Sequence, residues 1–246
     1  MNKKSLTTVL GGLVLAMNIS AAHAFAILHF EDATAGTSVV PSALDSLGLS
    51  GTTTFTNNTA TFNSLITNNQ YDMVIFGEQG GFRFSDVQTS LSGYLAGDGL
   101  VLGTTWNTGS GFSDFMGADN RTGTNDATLE IDGHPIFLDL PDLIGLQNPG
   151  WGVWSSGWTA GAGATGLGSL AGGSAAVLGN NGQSLLLGPL FDAYADTGAG
   201  AQLVVNSIQF LRGDPTPVPE PEAIALMAIG LLALGIVMRR RDPKAG

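Results

Sequence analysis

The stretch that decides the fold is YDMVIFGEQGGFRFSDVQTSLSGYLAGDGLVLGTTW, residues 71–106. Its first part, 71–77, is an almost continuous apolar run, which is typical of a strand buried on both faces of a parallel sheet. Ser85 is a suitable N-cap for a following helix. The apolar residues of that helix recur at helical spacing, at Val87, Leu91, Tyr94 and Leu95. A second buried run at 99–103 completes the pattern, which predicts a helix between two parallel strands.

The same alternation extends towards the N-terminus. Residues 26–30 form a strand-like apolar run, and Ser38 can cap a helix whose apolar residues recur at helical spacing. A further strand is predicted at 52–55. A short helix is predicted around Phe62, Leu65 and Ile66. Strands and helices that alternate in this way are typical of a parallel sheet covered on both faces.

The second half of the body is less regular. Residues 107–147 hold few apolar runs, and the stretch GWTAGAGATGLGSLAGG within 150–173 is interpreted as loop or irregular hairpin. Strand candidates return at 175–178 and 184–187, and a closing helix is predicted over about 200–211. We therefore predict an α/β body with one mainly parallel, doubly wound, flavodoxin-like sheet. Its strands include those near 26–31, 71–77, 99–103 and 184–187.

The N-terminus has the pattern of a secretory signal peptide. Lys3 and Lys4 precede an apolar run over 6–17, and the small-residue site AHA follows at 22–24. Cleavage after Ala24 would leave a mature chain that begins at residue 25. The alternative, an uncleaved membrane anchor, is disfavoured because the apolar run is short.

The C-terminus has the pattern of a membrane anchor. A Pro-rich linker at 213–222 leads into an apolar run at 223–238, which is slightly shorter than the roughly 17 to 25 residues of a typical spanning helix. The tail at 239–246 begins with three basic residues, Arg239, Arg240 and Arg241. Because basic residues stay on the cytoplasmic side, the body at 25–212 is predicted to lie outside the inner membrane. A buried core helix is disfavoured because the run is apolar on all sides.

Composition restricts the partners of the body. Between residues 25 and 214 there are three Arg, no Lys and 17 Asp and Glu, which gives a net charge of −14. Such a surface repels nucleic acid and anionic lipid, and it can attract cations or basic partners. The chain has no cysteine, so its stability must come from a packed core rather than from disulfides.

The C-terminal segment resembles a known sorting signal. Pro219, Glu220 and Pro221, followed by the apolar run and the arginine cluster, resemble the PEP-CTERM motif. The resemblance implies a Gram-negative exported protein that is held in the inner membrane until exosortase, a membrane transpeptidase, cleaves it near the motif. It also implies release to the cell surface or transfer into an extracellular polysaccharide matrix, as in a biofilm.

The body resembles the class I glutamine amidotransferase-like fold and its ThuA-like relatives. The resemblance rests on residues 71–106 and on LLLGPLFDAY followed by LVVNSIQFL. In the amidotransferases the turn after Gly103 would carry a nucleophilic cysteine, whereas Thr104 and Thr105 stand here. A threonine hydroxyl is a weak nucleophile without an adjacent base, and neither His29 nor His134 has an evident triad spacing. The body is therefore interpreted as noncatalytic.

Polar residues follow the predicted strands at the edge where such sheets bind ligands. They are Glu31, Asp32, Glu78, Gln79, Thr105 and Trp106. If the topology holds, these residues converge on one cleft, where carboxylates and an aromatic ring could bind a sugar or a cation. Glu31 and Glu78 could also be the two carboxylates of a glycoside hydrolase. Solvated loop residues are the alternative interpretation.

Two further groups remain open at this stage. The first is a set of acidic side chains that could bind calcium or belong to a solvated loop. Its members are Asp114, Asp119, Asp126, Glu130 and Asp132. An aromatic group could belong to the core, which is favoured, or contact carbohydrate, and it comprises Trp151, Trp154 and Trp158. No other cofactor is predicted.

The sequence thus predicts an exported protein that exosortase processes, with a noncatalytic or glycan-binding role in the extracellular matrix. A glycan-modifying hydrolase and a purely structural surface protein are the alternatives.

Overall fold

The body of the chain is built around a seven-stranded sheet. The computed structural model describes residues 24–68, 70–81, 83–109 and 111–214. Residues 1–23 of the predicted signal peptide, the linker from residue 215, the transmembrane helix and the basic tail lie outside these ranges and stay predictions. Within them, no helix combines the length and apolar character needed to cross a bilayer.

Strands and helices alternate in the first half of the body and strands dominate the second. The strands are β1 (Ile27–Glu31), β2 (Thr53–Thr56), β3 (Met73–Glu78), β4 (Leu100–Thr105), β5 (Ala118–Thr124), β6 (Thr128–Glu130), β7 (Leu143–Gly145), β8 (Ser156–Ala160), β9 (Thr165–Leu167), β10 (Ala176–Gly179) and β11 (Ser184–Leu187). The helices are α1 (Val40–Ser46), α2 (Thr59–Asn68), α3 (Phe84–Ala96), α4 (Phe112–Phe115) and α5 (Thr197–Arg212). Short 3-10 helices occupy Ser50–Thr52, Pro135–Phe137 and Asn180–Gly182.

The large sheet has the strand order β2-β1-β3-β4-β11-β10-β9. Strands β2, β1, β3, β4 and β11 pair in parallel. Strand β10 pairs antiparallel with both β11 and β9. The prediction that strands near 26–31, 71–77, 99–103 and 184–187 share one mainly parallel sheet is confirmed.

Helices cover both faces of this sheet. Side chains of β1 alternate between the faces, because Ile27 packs in the core beneath α1 and α5 while Leu28 and Phe30 pack in the core beneath α2 and α3. The Phe30 and Phe76 rings stack with centroids 4.7 Å apart in the second core. We call these two sides the α1/α5 face and the α2/α3 face.

Two helix starts differ from their predicted positions. The N-cap of α1 is Val39, although the Ser38 hydroxyl accepts a hydrogen bond from the Val40 N–H at 3.3 Å. The N-cap of α3 is Arg83 rather than Ser85. The first N–H of α3, at Phe84, donates to the Glu78 carboxylate, so a strand-end side chain replaces the local cap that the sequence predicted.

The second half contains more strand than the sequence predicted. β5 and β8 form an antiparallel pair, and β6 and β7 form another. The glycine-rich stretch lies partly in β8 and β9 because its glycines allow close packing. At Gly157 a Cβ atom would overlap the carbonyl oxygen of Leu170. Trp158 is 1% exposed, so the core interpretation is correct for this tryptophan. The glycine-rich stretch was interpreted as loop or irregular hairpin, and it contains β8, β9 and antiparallel bridges between Trp158 and Ser174 and between Leu170 and Gly173.

Both ends of the body lie at the amino edge of the sheet, where the parallel strands begin. The Ala26 N–H donates to the Asp72 carboxylate at 2.7 Å just before β1. The Arg212 guanidinium, at the end of α5, lies 4.4 Å from the centroid of the Phe25 ring. The chain therefore enters and leaves the domain on the side opposite the carboxyl edge.

Candidate functional site

The six residues of the predicted cleft all lie at the carboxyl edge of the sheet. Three of them are the last residues of strands, and the other three follow directly. Glu31, Glu78 and Thr105 end β1, β3 and β4, and Asp32, Gln79 and Trp106 come next. Whether these residues bind a ligand stays a prediction.

On the α1/α5 face, Gln79 connects the ends of β1 and β3. Its side-chain amide nitrogen donates to the Glu31 carboxylate at 3.0 Å and to the Ala33 carbonyl at 2.9 Å. The surroundings of Gly77 show that Glu31 lies on this face. A Cβ atom added to Gly77 would lie 2.9 Å from the Glu31 Cγ and also beside the ring of Phe191, which belongs to the α1/α5 core.

On the α2/α3 face, Glu78 connects β4 and α3. Its Oε1 accepts the Phe84 N–H at 2.9 Å, and its Oε2 accepts the Thr105 hydroxyl at 2.8 Å. The Thr105 hydroxyl also accepts the Asn107 N–H at 2.9 Å. Glu78 and Thr105 are both 0% exposed, so this network holds the strand ends and the helix start together.

The hypothesis that Glu31 and Glu78 act as a pair of glycosidase carboxylates is therefore corrected. The two side chains point to opposite faces of the sheet, and they are 4% and 0% exposed. A glycosidic bond would have to lie between two exposed carboxylates on one side of a cleft. These glutamates instead stabilise the fold.

Asp32 and Trp106 are the members of the group that solvent reaches, since both are partly exposed. Asp32 Oδ1 accepts the backbone N–H groups of Gln79 and Gly80 at 2.7 and 2.8 Å. Asp32 Oδ2 has no hydrogen-bond partner among the described residues. The Trp106 indole N–H donates to the Gln79 carbonyl at 2.8 Å, so its ring is held against the backbone of the residue whose N–H donates to Asp32.

Sequence reasoning missed Asp192 as a contributor to this edge. Its Oδ2 accepts the backbone N–H groups of Ala35 and Gly36 at 2.8 and 2.9 Å, and the Trp151 indole N–H lies 3.1 Å from both carboxylate oxygens. Asp192 thereby joins the loop after β1, the loop before β8 and the segment after β11. The signal was present in the stretch LLLGPLFDAY, but the partners are distant in sequence.

The position of the amidotransferase nucleophile holds two buried threonines in extended strand. Both are 0% exposed. The Thr104 hydroxyl donates to the Pro189 carbonyl at 2.7 Å, and the Thr105 hydroxyl donates to Glu78. His29 lies on β1, two strands away, and His134 packs against Phe210 of α5 with centroids 4.7 Å apart. Both hydroxyls therefore donate to groups inside the protein, and the Glu78 carboxylate that accepts from Thr105 is itself 0% exposed.

We expect Thr105→Val to lower the free energy of unfolding by about 2 kcal/mol. The substitution keeps the shape but leaves a Glu78 oxygen and the Asn107 N–H without this partner. Chemical denaturation of the two proteins measures the difference. The matched control is Thr165→Val on the exposed part of β9, which should change stability little, and equal effects at both sites would contradict the role assigned to the Thr105 hydroxyl.

The predicted acidic group is spread over several places. Asp114 and Asp119 line a polar pocket of about 460 Å³ together with Arg121. The Asp126 and Asp132 carboxylates instead accept backbone N–H groups from the loops around β9. In the ranges that the structure describes, no three His, Cys, Asp or Glu side chains lie close enough to hold a metal ion. The calcium hypothesis stays a prediction.

The C-terminal segment carries a sorting motif. Residues 217–241 match the PEP-CTERM protein-sorting motif. The PEP-CTERM match confirms the predicted resemblance and supports an exported protein that is anchored in the membrane and processed by exosortase. Among curated proteins, none matches this chain.

Solved structures share the fold of the body. A protein assigned as part of a GMP synthase from Thermoplasma acidophilum has 13% identity and a TM-score of 0.55, over 78% of this chain and 96% of that chain. The protein SMU.1228c has 10% identity and a TM-score of 0.53, over 76% of this chain and 100% of that chain. At such identities the likeness concerns the fold alone, and it agrees with the predicted amidotransferase-like architecture.

Proposed function

We propose that the protein is a noncatalytic component of the extracellular polysaccharide matrix of a Gram-negative bacterium. In this proposal exosortase releases it from the inner membrane, and its body binds glycan at the carboxyl edge of the sheet. The observation that carries the proposal is the PEP-CTERM match at residues 217–241.

The aromatic residues of the carboxyl edge support glycan binding. Trp106 and Trp151 are partly exposed, and hydrogen bonds from their indole N–H groups fix both rings. Fixed aromatic rings beside a carboxylate suit sugars, which stack their C–H faces on the ring and donate hydroxyl hydrogen bonds to the oxygens. Asp32 Oδ2 is a buried acceptor without a hydrogen-bond partner among the described residues, so a sugar hydroxyl could reach it only if the loop around it shifts.

The buried chemistry favours binding over turnover. The two threonines at the nucleophile position are buried and donate to other groups, and the two strand-end glutamates lie on opposite faces. These threonines and glutamates therefore do not suit the hydrolase alternative. A purely structural role is distinguished from glycan binding by a binding measurement, because a structural protein would not bind the polysaccharide.

We expect Trp106→Ala to weaken binding of exopolysaccharide fragments about tenfold, which corresponds to roughly 1.4 kcal/mol of lost contact. The measurement is a titration of the full-length chain, purified in detergent, with size-fractionated polysaccharide from the same cells. The substitution removes a partly exposed ring, so we expect the protein to remain folded, and a thermal melt checks this.

Leu143→Ala is the matched control, because Leu143 is a large apolar side chain that is 58% exposed and lies on β7 rather than at the carboxyl edge. Equal affinity of the wild type and Trp106→Ala would contradict the proposed site. Absence of binding by the wild type would favour the structural role, and shortened polysaccharide after incubation would favour the hydrolase.

A further inference from the structure

A polar pocket lies between the loop after β4, helix α4 and strand β5. It has a volume of about 460 Å³, which falls within the range of roughly 300 to 1,000 Å³ that is typical of small-molecule sites. We call it the Arg121 pocket. Its lining residues are Thr108, Ser113, Asp114, Asp119, Asn120 and Arg121.

Arg121 joins this pocket to the proposed glycan site. Its Nη1 donates to the Trp106 carbonyl at 2.8 Å, which fixes the guanidinium next to the residue whose ring is proposed to stack on a sugar. Within the described ranges, this is the one hydrogen bond of the Arg121 side chain. A guanidinium has five N–H donors, so most of them remain available to a molecule in the pocket.

The charged groups of the Arg121 pocket do not pair with one another. Asp114 and Asp119 are exposed, and neither carboxylate accepts a hydrogen bond from a described residue. Arg121 makes no ion pair with them or with any other residue that the structure describes. The pocket therefore offers both donors and acceptors that no described protein group uses.

Ser113 provides independent evidence for a polar ligand. The residue lines the pocket and is only 3% exposed, yet its hydroxyl makes no hydrogen bond with a described residue. Polar groups buried to this degree are normally hydrogen-bonded in proteins. An unused hydroxyl at the wall of a pocket thus points to a ligand that supplies the partner.

We propose that the Arg121 pocket binds a second sugar unit of the polysaccharide whose neighbouring unit stacks on Trp106. This inference rests on the proposed glycan-binding function and extends it to a second position along the polymer. A sugar hydroxyl both donates and accepts hydrogen bonds, as a serine hydroxyl does. Adjacent hydroxyls of one sugar ring can therefore donate to the two aspartates and accept from Arg121 and Ser113.

The charge of the pocket identifies the class of polysaccharide. Two carboxylates and one guanidinium line the pocket, and the body as a whole carries a net charge of −14. Such a field repels a uronic acid or a sulfated sugar. The ligand class is therefore a neutral polysaccharide with free adjacent hydroxyls.

The test titrates the full-length chain, in nonionic detergent, with fragments of the exopolysaccharide from the same cells. Fragments of one and of three sugar units are separated by size and then by charge. We expect neutral three-unit fragments to bind at least tenfold more tightly than single units, because only the longer fragments reach both positions. We also expect them to shift the Thr108 methyl signal, which reports occupancy of the pocket. Equal affinity at both lengths, or no Thr108 shift with fragments that bind, would overturn the second position.

A variant identifies the groups responsible. Asp119→Ala removes one acceptor of the pocket, so it should weaken binding of the three-unit fragment about fivefold and leave the single unit unaffected. The matched control is Asp142→Ala, which removes an exposed carboxylate outside the pocket and should bind as the wild type does. Equal weakening by both substitutions would indicate a general effect of charge and would contradict the pocket.

The outcomes separate this inference from the proposed function. If Trp106→Ala weakens binding of every fragment while Asp119→Ala changes nothing, the proposed glycan site is supported and the second position is wrong. If the wild type binds no fragment, both are wrong. Tighter binding of acidic than of neutral fragments would overturn the ligand class. All titrations contain EDTA, and binding that appears only without EDTA would contradict direct contact between the aspartates and the sugar.

Discussion

We expect Asp192→Ala to lower the free energy of unfolding by about 3 kcal/mol, which is a large part of the stability of a domain of this size. Asp192 is 3% exposed and accepts hydrogen bonds from two backbone N–H groups and one indole N–H. Removing the carboxylate leaves three donors, at Ala35, Gly36 and Trp151, without this acceptor, and water can replace part of the lost bonding because Ala35 and Gly36 are exposed. Urea denaturation measures the change.

Asp142→Ala provides the comparison for this prediction, because Asp142 is an exposed aspartate and most exposed substitutions change stability by less than about 0.5 kcal/mol. Asp192→Asn keeps one oxygen acceptor, so its loss of unfolding free energy should lie between those of Asp192→Ala and Asp142→Ala. A loss below about 1 kcal/mol for Asp192→Ala would mean that water or a neighbouring group replaces the carboxylate.

The second large effect concerns processing at the C-terminus. We expect replacement of Pro219, Glu220 and Pro221 by Ala to leave a full-length, membrane-retained chain. The wild type should appear outside the cell in a form that lacks the residues after about Pro221. The reason is that prolines keep the backbone extended and unable to continue a helix, which presents a segment that a membrane-embedded peptidase can bind. Mass spectrometry of the extracellular and membrane fractions measures both forms.

Glu222→Ala is the control for this experiment, because it removes the next acidic residue and leaves the triplet intact. Its processing should resemble that of the wild type. Intact chain alone, in wild-type cells with an active exosortase, would contradict processing and support a permanent anchor.

The sequence was informative about the fold wherever burial produced a continuous apolar run. The central strands β1, β3 and β4 are buried on both faces, and the runs that predicted them needed no knowledge of their neighbours. β5 was missed because its sequence, ADNRTGT, is polar and mostly solvent-facing. A strand of this kind is specified by its partner β8, and local propensity contains no information about that pairing.

The candidate site at the carboxyl edge was likewise predictable only in part. The order of the strands placed six polar residues at one edge, which the sequence predicted from topology alone. The face on which each side chain lies depends on the register of its strand, and a shift of one residue exchanges the faces. That is why Glu31 and Glu78 could be considered as a pair until the structure placed them on opposite sides. The hydrogen bonds of Asp192 join it to residues that are 156 and 157 positions away in the sequence, so no local pattern could predict them.

The position of the chain ends has a consequence for the order of events outside the cell. The body meets its tether at the amino edge of the sheet, and a strand of six residues separates that edge from the carboxyl edge by about 20 Å. If the carboxyl edge binds polysaccharide as proposed, the polymer need not approach the lipid headgroups. Severing the tether alters where the protein resides and leaves the same edge open. Under the proposed function, binding of polysaccharide and release from the membrane can therefore occur in either order, and a chain that already holds polymer should remain a substrate for cleavage.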